Sequence, residues 1–133
     1  MLRALAFAIA ACTFALPAIA QTADWSNAQT VTISLSNYAF APATLTLKAN
    51  QPYRLVFTST VTKDHDFSAP GLFKSGVIAD ADKSKVSGDG EVEVDDGGTV
   101  SVNFMPEKPG TYDFECTHFM HAMLGMKGQV VVQ

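Results

Sequence analysis

The fold is decided by residues 112–128, which read YDFECTHFMHAMLGMKG. Tyr112, Phe114 and Cys116 alternate with acidic residues, which is the period of a β-strand with one apolar face. From Cys116 to Met126 the segment then holds one thiol, two imidazoles and three thioethers within eleven residues. This pattern predicts a strand whose terminal thiol points into the edge of a core, followed by a loop of soft side chains.

The same alternation recurs on both sides of this segment. Short runs of alternating apolar and polar residues lie at 31–35, 44–47, 53–57, 92–94, 100–104 and 130–132. Turn-forming residues separate several of these runs, at 50–52, 97–98 and 109–110. Short strands punctuated in this way predict an all-β sandwich or barrel.

One stretch interrupts the β-pattern. Residues 69–90 contain Pro70-Gly71 and Gly88-Asp89-Gly90, with an ADADKSK run between them that has no apolar stripe. We predict a long surface connection, with room for one helical turn, that crosses from one sheet to the other. The acidic residues from Asp89 to Asp96 are expected to form a solvated edge that discourages strand pairing.

The loop after Cys116 offers ligands for a soft or borderline metal ion. Two histidines, one cysteine and a weak axial methionine are the ligand set of an electron-transfer copper site. His121 and Met126 supply two of these groups from the loop, which also contains His118. The chain has one further histidine, His65. In a strand it would lie on the same face as Phe67, two positions later. We therefore expect His65 to face the core.

With these residues in view, the chain resembles the cupredoxins, the small blue copper proteins that include plastocyanin, azurin, pseudoazurin and rusticyanin. The similarity covers the pattern of residues 21–133, including the KDHDF corner at 63–67 and the GTYDFEC strand at 110–116. Cys, His and Met at intervals of five resemble the loop of rusticyanin-like members. The resemblance implies a Greek-key β-sandwich or barrel of about seven to eight strands. The FSAP run at 67–70 also resembles the cupredoxin-like domains of EfeO-type iron-uptake lipoproteins.

The resemblance also assigns roles to individual residues. It implies that one copper ion is bound, with His65 as the upstream ligand, Cys116 and His121 completing a trigonal set, and Met126 as the axial ligand. Two features depart from the family pattern. Asp66 stands where well-studied members often have Asn, so a hydrogen bond from that corner to residue 117 is altered or made by a carboxylate. The second is His118, an extra imidazole. It either lies next to the site without binding the ion or displaces His121 or Met126 as a ligand.

The N-terminal 20 residues have the three-part pattern of an export signal. One basic residue precedes an apolar run over 4–16, and Ala-Ile-Ala stands before the polar Gln21. We predict cleavage after Ala20, which leaves a periplasmic domain of residues 21–133. The apolar run is shorter than the roughly 20 residues that span a bilayer. A lipoprotein-like IAAC sequence ending at Cys12 is the less favoured alternative.

Charge and cysteine content limit the partners of the exported chain. Without Arg3, eight basic residues face thirteen acidic ones, a formal balance of −5. This balance argues against nucleic acid and anionic membranes as partners and allows a basic protein. Cys116 becomes the only thiol in an oxidising compartment, which indicates burial, intermolecular pairing or metal ligation. We expect a monomer without a membrane span.

These observations favour a one-electron carrier that docks transiently with a redox partner protein. The alternative is a periplasmic copper-handling protein, a carrier, buffer or delivery factor, which the surplus His118, Met120 and Met123 favour modestly. We do not expect an enzyme, because copper catalysis needs an open coordination position and usually further metals or a substrate pocket, for which the chain has little room. No Ser/His/Asp arrangement, phosphate loop or carboxylate pair indicates hydrolysis. The exposed edge of His121 is the expected electron exit. The apolar residues predicted to ring it are Phe119, Met120, Met123 and Leu124.

Overall fold

The computed structural model describes residues 22–133, so the predicted export signal and the predicted cleavage site lie outside the described part of the chain. The first sheet has the order β2-β1-β4-β8-β6 and the second the order β3-β10-β9-β5-β7. Strands of the first sheet are β1 (Gln29–Ser36), β2 (Ala39–Ala41), β4 (Tyr53–Ser59), β6 (Gly76–Ile78) and β8 (Thr99–Pro106). Strands of the second are β3 (Thr44–Leu47), β5 (His65–Ser68), β7 (Glu91–Val94), β9 (Gly110–Glu115) and β10 (Lys127–Val132).

The described helices are short. They are α1 (Pro70–Lys74) and two 3₁₀ helices, Trp25–Asn27 and Asp80–Lys85. None of these helices is long and apolar enough to cross a membrane.

The strand connections confirm the predicted all-β sandwich. Strand β1 pairs in parallel with β4, and β3 pairs in parallel with β10, while the remaining neighbours are antiparallel. Parallel neighbours require connections that leave one sheet and return, which gives the sandwich its Greek-key character. Ten strands are described instead of about seven to eight, because β2 and β6 have three residues each and are too short to show a period.

Aromatic residues fill the space between the sheets. The rings of Phe67 and Phe114 lie 4.6 Å apart between centroids, Phe57 lies 4.7 Å from Phe67, and Phe40 lies 5.0 Å from Phe114. All four side chains are buried. Because burying one such side chain contributes about 1.5–3 kcal/mol, this cluster fixes the facing positions of β2, β4, β5 and β9. His65 and Cys116 lie at one end of the same buried face.

Residues 69–90 are more ordered than the sequence predicts. Helix α1 buries Leu72 and Phe73, and β6 extends the first sheet along β8. Asp82, also buried, accepts hydrogen bonds from the backbone N–H and the side-chain amide of Asn103, both at 2.9 Å. The connection reaches the first sheet through β6 and then returns to the second, where β5 and β7 are neighbours. The expectations of a crossing from one sheet to the other and of a solvated surface segment are therefore both wrong. A five-residue helix and a three-residue strand are too short for either period to be recognised.

Candidate metal centre

Three potential metal donors meet where β5 begins and β9 ends. The Cys116 sulfur lies 3.3 Å from Nδ1 of His121 and 3.9 Å from Nδ1 of His65. All three donor atoms lie within 4.8 Å of one another. His65 and Cys116 are fully buried, while His121 is half-buried. Strands β5 and β9 are neighbours in the second sheet, so the fold brings together a histidine and a cysteine that are 51 residues apart.

Backbone hydrogen bonds close the loop that carries His121. The N–H of Cys116 donates to the carbonyl oxygen of Met126 at 3.1 Å, and the N–H of Met126 donates to the carbonyl oxygen of His121 at 3.0 Å. The side chain of Met126 is fully buried in the core. The loop therefore returns to its starting point, with Cys116 and Met126 side by side at its base.

The ring of His65 has a defined orientation. Its Nε2 lies 3.1 Å from Oδ1 of Asn37, at the turn between β1 and β2. Because an amide oxygen accepts only, Nε2 carries the proton and donates it to Asn37. The unprotonated Nδ1 then presents its lone pair to the space beside the Cys116 sulfur, which is the state that binds a metal.

Burial shifts the pKa values of all three donors towards their neutral forms. Desolvation lowers the pKa of His65 and of His121, the neighbouring imidazoles and Lys63 lower both further, and Asp66 acts in the opposite direction. Desolvation raises the pKa of the Cys116 thiol, and the backbone N–H groups of Asp66 and His118 act in the opposite direction. At neutral pH the imidazoles are ready to bind a cation, and the thiol releases its proton when a cation compensates the charge.

Asp66 fixes the start of the loop formed by residues 116–126, which we call the ligand loop. Its carboxylate accepts a hydrogen bond from the backbone N–H of Thr117 at 2.8 Å and another from the Thr117 hydroxyl at 2.6 Å. The carboxylate thus makes the corner-to-loop contact that the sequence left open. Asp66 does lie on the opposite face of β5 from His65, as parity predicts, but it is only 1% exposed.

His118 lies outside the His65, Cys116 and His121 donor group. Its Nε2 is 2.9 Å from a carboxylate oxygen of Glu93 and 3.7 Å from one of Asp66. Its ring is stacked on that of His121, with centroids 5.6 Å apart and planes at 22°. Desolvation raises the pKa of Glu93, while His118 acts to lower it. His118 therefore packs against the ring of His121 and contacts the carboxylates of Glu93 and Asp66.

The surface beside His121 is apolar. Phe119 is 88% exposed and Met123 83% exposed, and Met120 and Leu124 are exposed as well. The four side chains that the sequence predicts around this edge are therefore all at the surface. An exposed group of large apolar side chains is typical of a protein interaction site.

Two residues near the centre were missed by sequence reasoning. Asn37 and Tyr38 form the turn between β1 and β2, and the Tyr38 ring lies 4.9 Å from the His121 ring at 61°. The sequence signal there was a polar residue between two apolar runs, which indicates a turn and says nothing about the histidines.

Comparisons with known proteins give a family match and several structures of similar fold. The family model of the cupredoxin-like domain matches residues 5–132. Auracyanin B is 25% identical, with a TM-score of 0.59, over 86% of this chain and 93% of that one. Auracyanin A, a "blue" copper protein of Chloroflexus aurantiacus, is 21% identical, with a TM-score of 0.58, over 78% and 98%. A multi-copper oxidase of Pseudomonas thermotolerans has a TM-score of 0.64 at 15% identity, over 85% of this chain and 31% of that one. No curated protein matches the chain.

The residues present fit a copper ion. Two imidazole nitrogens and one thiol are close enough to share one ion, and two of the three residues are fully buried, so they form a donor set suited to copper. The family match and this cluster together support a single copper ion as the cofactor.

Proposed function

Because the chain belongs to the cupredoxin-like family, we propose that it is a periplasmic mononuclear copper protein that carries single electrons. The observation that supports this most strongly is the donor group of His65, Cys116 and His121, in which the first two residues are fully buried and the third is half-buried. A group held by two strands and a hydrogen-bonded loop changes little when charge is gained or lost, which favours fast electron transfer.

We assign the ligand roles as follows. His65, Cys116, His121 and the buried Met126 would hold the ion. Copper supplies the reversible one-electron change. The protein's residues do the rest: Asn37 orients His65, Asp66 holds the loop start through Thr117, and the aromatic core excludes water from the inner side.

The half-buried edge of His121 is the proposed path for electrons. It is the one residue of the proposed trigonal set that is not fully buried, and the exposed apolar side chains of its own loop lie beside it in sequence. An exposed apolar surface suits weak, short-lived docking of a redox partner protein by a monomer. This arrangement fits a carrier better than an enzyme.

We place the protein in the periplasm on the basis of the export-signal pattern in residues 1–20 and of its cysteine usage. A thiol that is buried and ligated is protected in an oxidising compartment. The mature N-terminus is testable by intact-mass measurement of the exported protein, which we expect to begin at Gln21. Retention of residues 1–20 would contradict the proposed cleavage.

Copper handling remains the second candidate because Met120 and Met123 are exposed near the site. The two functions differ in what happens on reduction. A carrier keeps its ion through repeated reduction by ascorbate and oxidation by ferricyanide, even with a Cu(I) chelator present. We expect such cycling, unchanged in a Met120→Leu/Met123→Leu variant. Loss of copper to the chelator on reduction, slowed by that variant, would overturn the carrier proposal in favour of copper delivery.

A further inference from the structure

One turn of the first sheet contacts both histidines of the metal centre. Asn37 and Tyr38 connect β1 to β2, and they are adjacent in the chain. Asn37 reaches His65 in β5, while Tyr38 reaches His121 in the ligand loop. His65 and His121 belong to the second sheet and its loop, so this turn contacts the centre from the opposite sheet.

The Asn37 contact determines which nitrogen of His65 is available. With Oδ1 accepting from Nε2–H at 3.1 Å, the proton is held on the side away from Cys116. Without this acceptor, the fully buried His65 ring has an unpaired N–H and is free to adopt the other tautomer. The proton would then be on Nδ1, the nitrogen that faces the sulfur.

The Tyr38 contact limits the movement of the His121 ring. Tyr38 packs edge-on against one side of His121, with centroids 4.9 Å apart, and the His118 ring also stacks on His121. The Lys63 ammonium lies 5.8 Å from the Tyr38 ring centroid, in cation–π range, and adds a contact on the Tyr38 side. His121 is the half-buried member of the donor group, so packing in the core restricts its ring least and the Tyr38 contact matters most there.

We propose that the Asn37–Tyr38 turn is a positioning element that preorganises both histidines for copper. This inference rests on the copper site proposed above. Asn37 holds His65 in the metal-binding tautomer, and Tyr38 holds the His121 ring in place, so neither imidazole has to reorient when the ion binds. Neither side chain is a ligand.

The test measures Cu(II) affinity by competition with a chelator of known affinity, on protein produced from the full chain. We expect Asn37→Ala to weaken binding about 10–100-fold, the usual effect of removing a group that orients a ligating histidine. Asn37→Asp should restore most of the affinity, since a carboxylate oxygen accepts the same hydrogen bond. The matched control is Asn27→Ala, which removes an exposed asparagine in the first 3₁₀ helix.

A second pair of variants tests the role of Tyr38 independently of Asn37. Tyr38→Leu should speed copper release to the chelator about threefold to tenfold, the range expected for loss of one aromatic contact. Tyr38→Phe retains the ring and should release copper at the wild-type rate. This pair decides the proposal even when Asn37→Ala fails to fold, which urea unfolding of the metal-free variants will reveal.

The failures of the two proposals are distinguishable. Wild-type protein that binds copper without an intense thiolate-to-copper absorption band would remove the site on which this inference rests. Wild-type protein with that band, combined with unchanged affinity in Asn37→Ala and unchanged release in Tyr38→Leu, would overturn the positioning role and leave the site intact.

Discussion

Replacing Asp66 with Ala should destabilise the metal-free protein by about 2–6 kcal/mol, because it removes the contact that fixes the start of the ligand loop. Asp66 is 1% exposed and accepts hydrogen bonds of 2.8 Å and 2.6 Å from Thr117. Hydrogen bonds to a charged group contribute about 1.5–3 kcal/mol each. Asp66 also stands directly opposite Glu93 in the β5–β7 pair, and relief of this like-charge opposition returns about 0.2–1 kcal/mol.

Urea unfolding of metal-free variants measures this effect. Asp113→Ala is the matched control, since Asp113 is an exposed carboxylate on β9 of the same sheet. Asp66→Asn should cost less than about 1 kcal/mol, because the amide still accepts from the Thr117 N–H and donates to its hydroxyl. Surface changes without a structural role usually alter the free energy of unfolding by less than about 0.5 kcal/mol. If the free energies of unfolding of Asp66→Ala and Asp113→Ala differ by no more than this, the proposed anchoring role is refuted.

Further predictions concern acid stability, packing and the extra histidine. Burial lowers the pKa of His121 below 6.5, so the unfolded chain binds a proton that the folded chain does not. The metal-free protein should therefore lose stability as the pH falls from above 6.5, and His121→Gln should reduce this slope in urea unfolding; equal slopes would contradict the reasoning. Gly128→Ala should destabilise by about 1–3 kcal/mol, because the added carbon clashes with the backbone oxygen of Ala43. Gly88→Ala, which meets open space, should be nearly neutral, and equal unfolding midpoints for the two variants would sink the packing argument. His118→Gln should keep one bound copper and the thiolate absorption band, since His118 lies outside the donor group; loss of the band would make it a ligand.

Much of the fold was predictable because most strands are long enough to show their period. The alternation around Tyr112, Phe114 and Cys116 predicts β9 and the inward direction of the thiol, and the structure has both. The parity of His65 predicts its burial. The resemblance to cupredoxins is confirmed by the family match. These features depend on residues one or two positions apart, which a sequence displays directly.

Features that depend on packing between distant segments were not predictable. The sequence predicts a solvated connection for 69–90, but Leu72 and Phe73 enter the core in a helix too short to show a stripe. The alternation correctly places Asp66 on the face of β5 opposite His65. Its burial, however, arises from contact with a loop that lies 51 residues further along the chain. Asn37 contacts His65 only because the two sheets face each other.

The most direct test of the copper site is the visible and electron paramagnetic resonance spectrum of the protein with one equivalent of Cu(II), compared with Cys116→Ser. The donor group of His65, Cys116 and His121 predicts an intense thiolate-to-copper band and a narrow copper hyperfine splitting. Both features should be absent from Cys116→Ser. A weak or colourless spectrum with copper still bound would contradict the proposed site and favour a copper-handling protein that uses His118 and the loop methionines.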